Sequence, residues 1–344
     1  MESRVVIHKP GNYDALTLEQ YEASAPKADE VSIKVAATGI NYADCVIRMG
    51  LYKSANELHG YPITPGFEVS GEVIAVGSDV TGFKPGDKVL GMSLFGGYCS
   101  QLCLPQHQVF PLPQNIELIA AAGIPAVYLT AWFALHELAH VRAGEKVLVH
   151  SGAGGVGLAA LQLAKRAGAD PVAVVGSSHK VDVAQQYGAS AVIDKSSSDL
   201  WDQAKSISAN GYSVIMDPNG YSTLEQSYQH LAPVGKLVIY GFHSMLPQGT
   251  GRPNYLKLAR DWLRTPRFNP LNMTADNKSV LAFNLSFLSE RRDLLLAAMS
   301  DILHGLTDGS LKPLPYQTWP LADVDKAHHA IESAQTTGKL LLIP

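Results

Sequence analysis

The chain has 344 residues, 46% of them hydrophobic and 17% charged, and a net charge of −4. This length fits about two domains, and the composition is that of a globular protein with a large buried core. The slight negative charge, without a basic run, excludes the electrostatic surface that a nucleic-acid-binding protein needs.

The first part of the chain is predicted to be mainly β-structure. Its N-terminus is apolar and favours a strand over a signal peptide, and alternating or apolar runs bounded by Pro and Gly predict further strands. These runs lie at 31–35, 67–77 and 88–91. Several short strands with such turns indicate a compact barrel-like domain.

One helix is predicted within this β-rich part, at 42–49. Asp44 and Arg48 are four residues apart on one face of it, which favours a structural ion pair over an acid/base couple. The cysteines Cys45, Cys99 and Cys103 form neither a C-x-x-C pair nor a zinc-binding quartet. We interpret them as packing residues of a reduced, cytoplasmic protein.

An uncharged stretch at 118–135 is long enough to be considered as a membrane span. It is rich in alanine, and Gly123 and Pro125 interrupt it near the middle. Two short buried helices at a domain junction are the better interpretation, so no integral membrane segment is expected.

A glycine-rich turn at 150–157 is the strongest motif of the chain. It follows an apolar strand at 146–149 and precedes a helix at 158–167, and Gly152, Gly154 and Gly157 fit the pattern G-x-G-x-x-G. In this pattern the glycines allow a tight turn, close approach of a pyrophosphate and close helix–strand packing. N–H groups at the helix N-terminus then bind the phosphates, which predicts a dinucleotide site.

Strands and helices alternate after this turn. The predicted strands are at 171–175, 191–194, 213–217 and 236–241, and the helices between them at 179–187, 199–208 and 222–231. Alternation of this kind predicts a doubly wound parallel sheet with ligand at the carboxyl ends of its strands. An amphipathic, basic helix at 255–264, an apolar strand at 279–285, a helix at 290–305 and a strand at 339–343 complete the chain.

The end of the second strand of this sheet predicts the cofactor. NAD-selective sites place an acid about 20 residues beyond the first glycine, and here the segment contains Gly176, Ser177 and Lys180 instead. Hydroxyl donors and a lysine suit a 2′-phosphate, which favours NADPH. The alternative is that Lys180 is a solvated residue and NAD is bound without discrimination. Asp194, at the end of the next strand, lies too far along the sequence to serve as the acid that binds the ribose.

With these residues in place, the chain resembles the medium-chain dehydrogenase/reductase superfamily and, within it, the zinc-free quinone oxidoreductase branch. The resemblance rests on segments 39–44, 48–52, 65–68, 77–80, 85–89, 154–157 and 338–344. Segment 276–285 looks most like the vesicle amine-transport protein sub-branch. Where zinc-dependent members have a ligand histidine, this chain has Phe67, so we predict no metal.

The resemblance implies an α/β fold in which a Rossmann domain is inserted in a GroES-like β-barrel domain. The expected parts are the GroES-like domain at 1–125, the Rossmann NADPH-binding domain at 126–275, and 276–344, which ends the Rossmann sheet and returns to the first domain. The resemblance also implies a homodimer and further cofactor contacts. Those contacts are Asn41, Thr130, Gly155, Val156, Lys195, Tyr240, Gly241, Phe242, Phe283, Leu285 and Lys339.

Without a metal, the natural acceptor of hydride is an already conjugated electrophile, a quinone or an α,β-unsaturated carbonyl. Asn41 is a candidate to bind the oxygen of this small-molecule acceptor or the ribose of the cofactor, and otherwise a turn amide satisfied locally. Tyr52 is the candidate proton donor, with a packed aromatic residue or protonation by bulk water as the alternative. The two histidines at 328–329 are interpreted as surface residues.

A second function remains open at this point. The chain would then be a non-catalytic NADPH-binding protein with a structural or lipid- and membrane-associated role. Lys257, Arg260 and Arg264 of the basic helix are the feature that favours it.

Overall fold

The computed structural model describes residues 1–247 and 249–344. The chain folds into two compact units. The first unit contains Met1–Leu129, a short segment that ends at Arg252, and Ser286–Pro344, and the second contains Thr130–Pro247 and Pro253–Leu285. The second unit is therefore inserted into the sequence of the first.

The N-terminal part of the first unit is rich in short strands. In chain order its elements are β1 (Glu2–Val6), β2 (Thr17–Tyr21), β3 (Glu30–Ile40), α1 (Tyr42–Arg48), α2 (Lys53–Leu58), β4 (Glu68–Val76), β5 (Lys88–Met92), β6 (Gln101–Pro105), β7 (Val109–Pro111), α3 (Leu118–Ala121) and α4 (Pro125–Trp132). α3 and α4 confirm the two helices predicted for the uncharged stretch. Proline is the first residue of α4, a position at which it is favoured. None of the helices in the described part of the chain combines the length and apolar character needed to cross a membrane.

The second unit alternates strands and helices as predicted. After a π-helix at Phe133–Leu138 its elements are β8 (Lys146–Val149), α5 (Gly155–Arg166), β9 (Asp170–Val175), α6 (Val181–Gln186), β10 (Ala191–Asp194), α7 (Leu200–Ile207), β11 (Tyr212–Asp217), α8 (Leu224–Gln229), β12 (Leu231–Ile239), α9 (Tyr255–Arg264), α10 (Pro270–Asp276) and β13 (Ser279–Ala282). Within the described residues they form a six-stranded parallel sheet in the order β10-β9-β8-β11-β12-β13. The strand order reverses beside β8, which is where open α/β sheets bind ligands.

The chain then returns to the first unit. Its remaining elements are α11 (Arg292–Asp308), β14 (Tyr316–Pro320), α12 (Val324–Glu332) and β15 (Lys339–Ile343). β15 pairs antiparallel with β3 inside a sheet of seven strands, counted over the described residues. The apolar core of this sheet is drawn from several strands and includes Val31, Ile33, Val69, Val73 and Val89, which are all completely buried.

Two local predictions differ from the structure, and some short elements were not predicted. The predicted apolar strand at 279–285 ends at Ala282, and a 3₁₀ turn begins at Leu285. The helix predicted at 179–187 is a 3₁₀ turn followed by α6. The helices α2 and α10 and the strand β2 were not predicted, because they are short and lack a clear hydrophobic period.

Candidate functional site

The glycine-rich turn lies at the carboxyl end of β8 and begins α5. Ser151 adopts a left-handed conformation with φ of 55°, and the N–H of Gly152 donates to the carbonyl of Val174 on β9, 2.9 Å away. Gly154 is the N-cap of α5. The first N–H groups of a helix have no partner within it, so the turn presents donors at the switch point of the sheet.

Each of the three glycines is needed for a different reason. A Cβ on Gly152 would lie 2.7 Å from the Cβ of Ala173, and a Cβ on Gly157 would lie 2.3 Å from the carbonyl oxygen of Ser151. Gly154 differs, since its Cβ would meet the same oxygen at 3.3 Å and nothing else within 4 Å. Two glycines thus close the turn and the third leaves open space beside it, a cradle that fits the pyrophosphate of a dinucleotide.

A buried polar network begins at His150, the first residue of this turn. His150 is 1% exposed, and its Nε2 lies 3.1 Å from the Oγ of Ser227, which donates to the carboxylate of Asp217. Burial lowers the pKa of His150, so the ring is neutral at pH 7. Asp217 also accepts from Thr223 and from the backbone N–H of Asn219. Sequence reasoning missed this network, although His150 and Asp217 stand at the ends of neighbouring strands.

Two lysines lie near Gly176, just after β9. A Cβ on Gly176 would meet the Cε of Lys195 at 3.7 Å and no other atom within 4 Å. Lys180 is 8% exposed, and its pKa is lowered by burial and, second, by the charge of Lys195. Lys180 is therefore not the solvated residue of the alternative interpretation. The side chain of Lys195 beside an open glycine, together with the charge of Lys180 that interacts with it, fits a phosphate monoester such as the 2′-phosphate.

Asp194, the last residue of β10, also stands at this edge of the sheet. The carboxylate of Asp194 accepts from the hydroxyl groups of Ser178 and Ser196 at 2.6 Å. These hydrogen bonds lower the pKa of Asp194, so it is ionised at neutral pH. Asp194 holds serines in place here, and its charge opposes that of the lysines.

Several aromatic residues surround the carboxyl ends of β12 and β13. Phe283 packs on Phe133 with ring centroids 4.8 Å apart, and on Tyr240 with centroids 6.5 Å apart. Phe242 is 46% exposed, and Gly220 makes room for it, because a Cβ there would lie 2.8 Å from the ring. This surface of the second unit can cover a planar ring.

The other residues of the second unit that were predicted to contact the cofactor have the following positions. Thr130 lies in α4 and is half-buried, as is Gly241, which follows the end of β12. Leu285, at the start of the 3₁₀ turn after β13, is also half-buried. Gly155 and Val156 occupy the first turn of α5, and Ser177 precedes the 3₁₀ turn after β9.

In the first unit, Asn41 belongs to a buried charged cluster. The Nδ2 of Asn41 donates to Oε1 of Glu68 at 2.9 Å, and its Oδ1 accepts from Nζ of Lys339 at 2.9 Å. The same ammonium donates to Glu68 at 2.7 Å and to the carbonyl of Ile40 at 2.8 Å. All three donors of Lys339 are thus used, so the predicted contact of Lys339 with the cofactor phosphates is replaced by a role in this cluster.

Tyr52 stands at the N-terminus of α2 and is half-buried. Its hydroxyl lies 3.0 Å from the Oγ of Ser286, and its ring packs edge-on against Phe67 with centroids 6.0 Å apart. Phe67 also contacts Phe95. A phenyl ring offers no metal ligand, so this position contributes only packing.

The helix α1 lies in the interior, and this overturns two predictions. Arg48 is completely buried and pairs with Glu332 at 2.7 Å, not with Asp44. The carboxylate of Asp44 accepts from the backbone N–H groups of Asn41 and Gly66 and from the hydroxyl of Tyr98.

His328 is the second correction in this region. It is completely buried, where a surface residue was predicted. Its Nε2 lies 3.2 Å from the hydroxyl of Tyr98, and its Nδ1 lies 3.2 Å from Arg48 Nη1. Burial and the charge of Arg48 hold the pKa of His328 well below its usual range. Its neighbour His329 is exposed, as predicted.

Sequence reasoning also overlooked an H-E-x-x-H pattern at 136–140. In metalloproteases such a pattern lies on one α-helix, which places both histidines on one face. Here His136 lies in the π-helix against Trp132, and His140 follows it in a left-handed conformation with φ of 49°. The two histidines therefore do not share a helical face. Across residues 1–247 and 249–344, no group of three or more His, Cys, Asp or Glu side chains is arranged to hold a metal ion.

Comparisons with known proteins agree with this architecture. Residues 27–114 match the family described as "Alcohol dehydrogenase GroES-like domain", and residues 155–287 match "Zinc-binding dehydrogenase". The rat synaptic vesicle membrane protein VAT-1 homolog is 34% identical over 337 residues, which cover 97% of this chain and 82% of that protein.

Two solved structures are also similar over nearly the whole chain. Escherichia coli quinone oxidoreductase complexed with NADPH has 29% identity and a TM-score of 0.84, covering 99% of this chain and 100% of that chain. CurK enoyl reductase has 27% identity and a TM-score of 0.84, covering 99% of each chain. The predicted family and fold class are thereby confirmed. The chain belongs to the medium-chain dehydrogenase/reductase superfamily, in its zinc-free branch of quinone oxidoreductases and VAT-1-like proteins.

Proposed function

We propose that the protein is an NADPH-dependent reductase that transfers hydride to a quinone or an α,β-unsaturated carbonyl without a metal ion. The observation that carries the proposal is the glycine turn at the switch point of the parallel sheet, with Lys180 and Lys195 near the end of the next strand. The similarity to a quinone oxidoreductase complexed with NADPH supports the cofactor and the quinone acceptor, and the similarity to an enoyl reductase supports the unsaturated acceptor. As the resemblance implies, we also propose a cytoplasmic homodimer.

The chemistry requires little from the protein beyond orientation. When bound, the nicotinamide supplies the hydride, and the acceptor takes up this hydride together with one proton. A hydrogen-bond donor at the acceptor oxygen stabilises the negative charge that develops there. We assign this contact, or one to the cofactor ribose, to Asn41. Tyr52 is the candidate that delivers the proton.

The cofactor contacts follow from the surfaces described above. The turn at 152–157 binds the pyrophosphate, and Gly176, Ser177, Lys180 and Lys195 bind the 2′-phosphate. Thr130, Tyr240, Gly241, Phe242, Phe283 and Leu285 hold the nicotinamide end. Because Asp194 brings negative charge to the phosphate side, Asp194→Asn is expected to tighten NADPH binding more than NADH binding.

NADPH consumption at 340 nm tests the proposal, with 9,10-phenanthrenequinone, a benzoquinone, simple enones and an aliphatic aldehyde as acceptors. Lys180→Ala and Lys195→Ala should each raise the KM for NADPH and leave that for NADH unchanged. Lys205→Ala is the matched control, because this exposed lysine lies in the last turn of α7, the end of that helix that leads into the start of β11. Turnover of the aldehyde alone, or equal use of both cofactors by wild type and variants, would contradict the proposal.

A specific observation favours a second function, membrane association by an NADPH-binding protein. The helix α9 exposes large apolar side chains, including Leu256 at 85%, Leu263 at 70% and Trp262 at 63%. Its basic residues contribute less than the sequence indicated, because Lys257 and Arg260 both pair with the buried Asp261 at 2.8 Å. Insertion of apolar side chains, rather than charge, would then dominate binding.

Co-sedimentation with vesicles separates the two functions. Leu256→Ser/Leu263→Ser should abolish sedimentation if α9 inserts, and Arg264→Gln should weaken it in a salt-dependent way. Val234→Ser, another exposed apolar residue of the second unit at 76%, is the control. Absence of sedimentation on neutral and on anionic vesicles would refute the second function and leave the first one standing.

A further inference from the structure

We propose that Glu68 and Lys339 are positioning residues that hold the amide of Asn41 in one orientation, with one N–H directed away from the cluster as a donor for the reaction. The inference rests on the proposed function, which gives Asn41 its role. The side chains of Glu68 and Lys339 are 0% and 3% exposed. They are too buried to contact a ligand themselves and act through Asn41.

The contacts are complementary at each polar atom of the amide. The ammonium of Lys339 donates to Oδ1 of Asn41 at 2.9 Å, and the carboxylate of Glu68 accepts from Nδ2 at 2.9 Å. A rotated amide would place its NH₂ group against the ammonium and its oxygen against the carboxylate. Both contacts would then become repulsive, so the charged pair admits one orientation.

The orientation leaves a defined donor. Nδ2 carries two hydrogens, one of which is donated to Glu68. Asn41 itself is half-buried, while its two charged partners are buried. The second amide hydrogen is therefore available to a ligand, and its direction is fixed by groups that no ligand can reach.

The fold makes room for this arrangement and anchors it. A Cβ on Gly39 would lie 2.3 Å from Oε1 of Glu68, and a Cβ on Gly123 would lie 3.0 Å from Cγ of Lys339. The second carboxylate oxygen of Glu68 accepts from the backbone N–H of Ala126 at the start of α4, at 2.7 Å. Both oxygens of Glu68 are thus held, so its carboxylate cannot turn away from Asn41.

The test neutralises the pair instead of breaking it. Removal of one partner alone would leave an uncompensated buried charge and destabilise the fold, so the variant is Glu68→Gln/Lys339→Met. We expect kcat/KM for the best quinone to fall by about 10- to 100-fold, as for a misplaced catalytic contact. Thr38→Val is the matched control, because it removes the buried hydrogen bond to the backbone carbonyl of Glu68 and leaves the cluster intact.

A double-mutant cycle with Asn41→Ala separates positioning from general support. If Glu68 and Lys339 act through Asn41, their substitution in the Asn41→Ala background changes kcat/KM by less than about twofold. The loss in Tm should be the same in both backgrounds. Effects on kcat/KM that multiply in the triple variant would overturn the proposal.

A second readout does not depend on turnover. In protein labelled with [¹⁵N]asparagine, the side-chain NH₂ signal of Asn41, identified by its loss in Asn41→Ala, should show one hydrogen protected from exchange. Thr38→Val should keep this protection and Glu68→Gln/Lys339→Met should lose it. If the wild-type protein turns over no acceptor, the proposed function fails while this measurement still decides the orientation. Equal exchange of both Asn41 amide hydrogens in the wild-type protein would refute the proposal that the amide is held in one orientation.

Discussion

Asp44 makes the stability of the first unit depend on pH in a direction that is unusual for a carboxylate. It is completely buried in α1 and has no cation within ion-pairing distance among the described residues. Burial raises its pKa from about 3.8 to about 7, although the hydrogen bonds from Asn41, Gly66 and Tyr98 act in the other direction. The folded protein therefore retains a proton that the unfolded chain has lost.

The size and sign of the effect follow from this difference. One pKa unit corresponds to about 1.4 kcal/mol, so the interval from about 3.8 to about 7 amounts to about 4 kcal/mol. Between these two values the folded state binds more protons than the unfolded state, so the free energy of unfolding falls as pH rises. The contribution is complete below the unfolded pKa and is lost above the folded one. Between pH 5 and pH 7.5 the expected loss is about 2.5 kcal/mol.

Urea unfolding at pH 5 and pH 7.5 measures this loss when wild type is compared with Asp44→Asn. The neighbouring His328, whose lowered pKa stabilises the fold above pH 6.5 rather than below it, is present in both proteins and cancels. Asp202→Asn, at an exposed position of α7, controls for the loss of a carboxylate. If the free-energy difference between wild type and Asp44→Asn is the same at both pH values, the carboxylate is ionised throughout and the reasoning is wrong.

Three further predictions concern the turn, the buried ion pair and the proton donor. Gly157→Ala places a Cβ 2.3 Å from a backbone oxygen and should lower Tm and abolish NADPH binding, whereas Gly154→Ala should weaken binding at nearly unchanged Tm; equal losses of Tm in thermal scans would contradict this. Arg48→Met leaves the buried Glu332 unpaired and should cost about 3–5 kcal/mol in urea unfolding, most of it recovered in Arg48→Met/Glu332→Leu; an additive second loss would exclude the ion pair as the cause. Tyr52→Phe should lower kcat by about 10²-fold with little change in KM, and an unchanged kcat would mean that water protonates the product.

The fold of the second unit was predicted well because its information is local. A strand, a glycine turn and a helix are contiguous in sequence, and Gly152 and Gly157 are required by neighbours within the same βαβ unit. The alternation of strands and helices then predicts the parallel sheet without knowledge of long-range contacts. The family resemblance added the GroES-like domain, which short β-strands alone indicate only as a barrel.

The interior of the first unit was predicted poorly because its contacts are distant in sequence. The pairing of Asp44 with Arg48 follows from a rule for solvent-exposed helices, and it fails because α1 is buried and Arg48 finds Glu332, 284 residues away. Lys339 likewise contacts Asn41 across 298 residues. His328 looked like a surface residue because adjacent helical residues face different directions, but nothing in the sequence shows which of them faces the core.

The position of β15 beside β3 has a consequence for how the chain can be divided. The second unit is nearly continuous in sequence, and all six strands described for its sheet lie between Lys146 and Ala282. The first unit requires a strand from beyond the inserted unit, and without it the end of β3 at Thr38–Ile40 loses its β15 partner and Glu68 keeps its buried carboxylate without a counter-ion. A segment excised from this unit therefore retains its whole sheet, whereas residues 1–129 are not a domain that can be cut out, grafted or refolded alone.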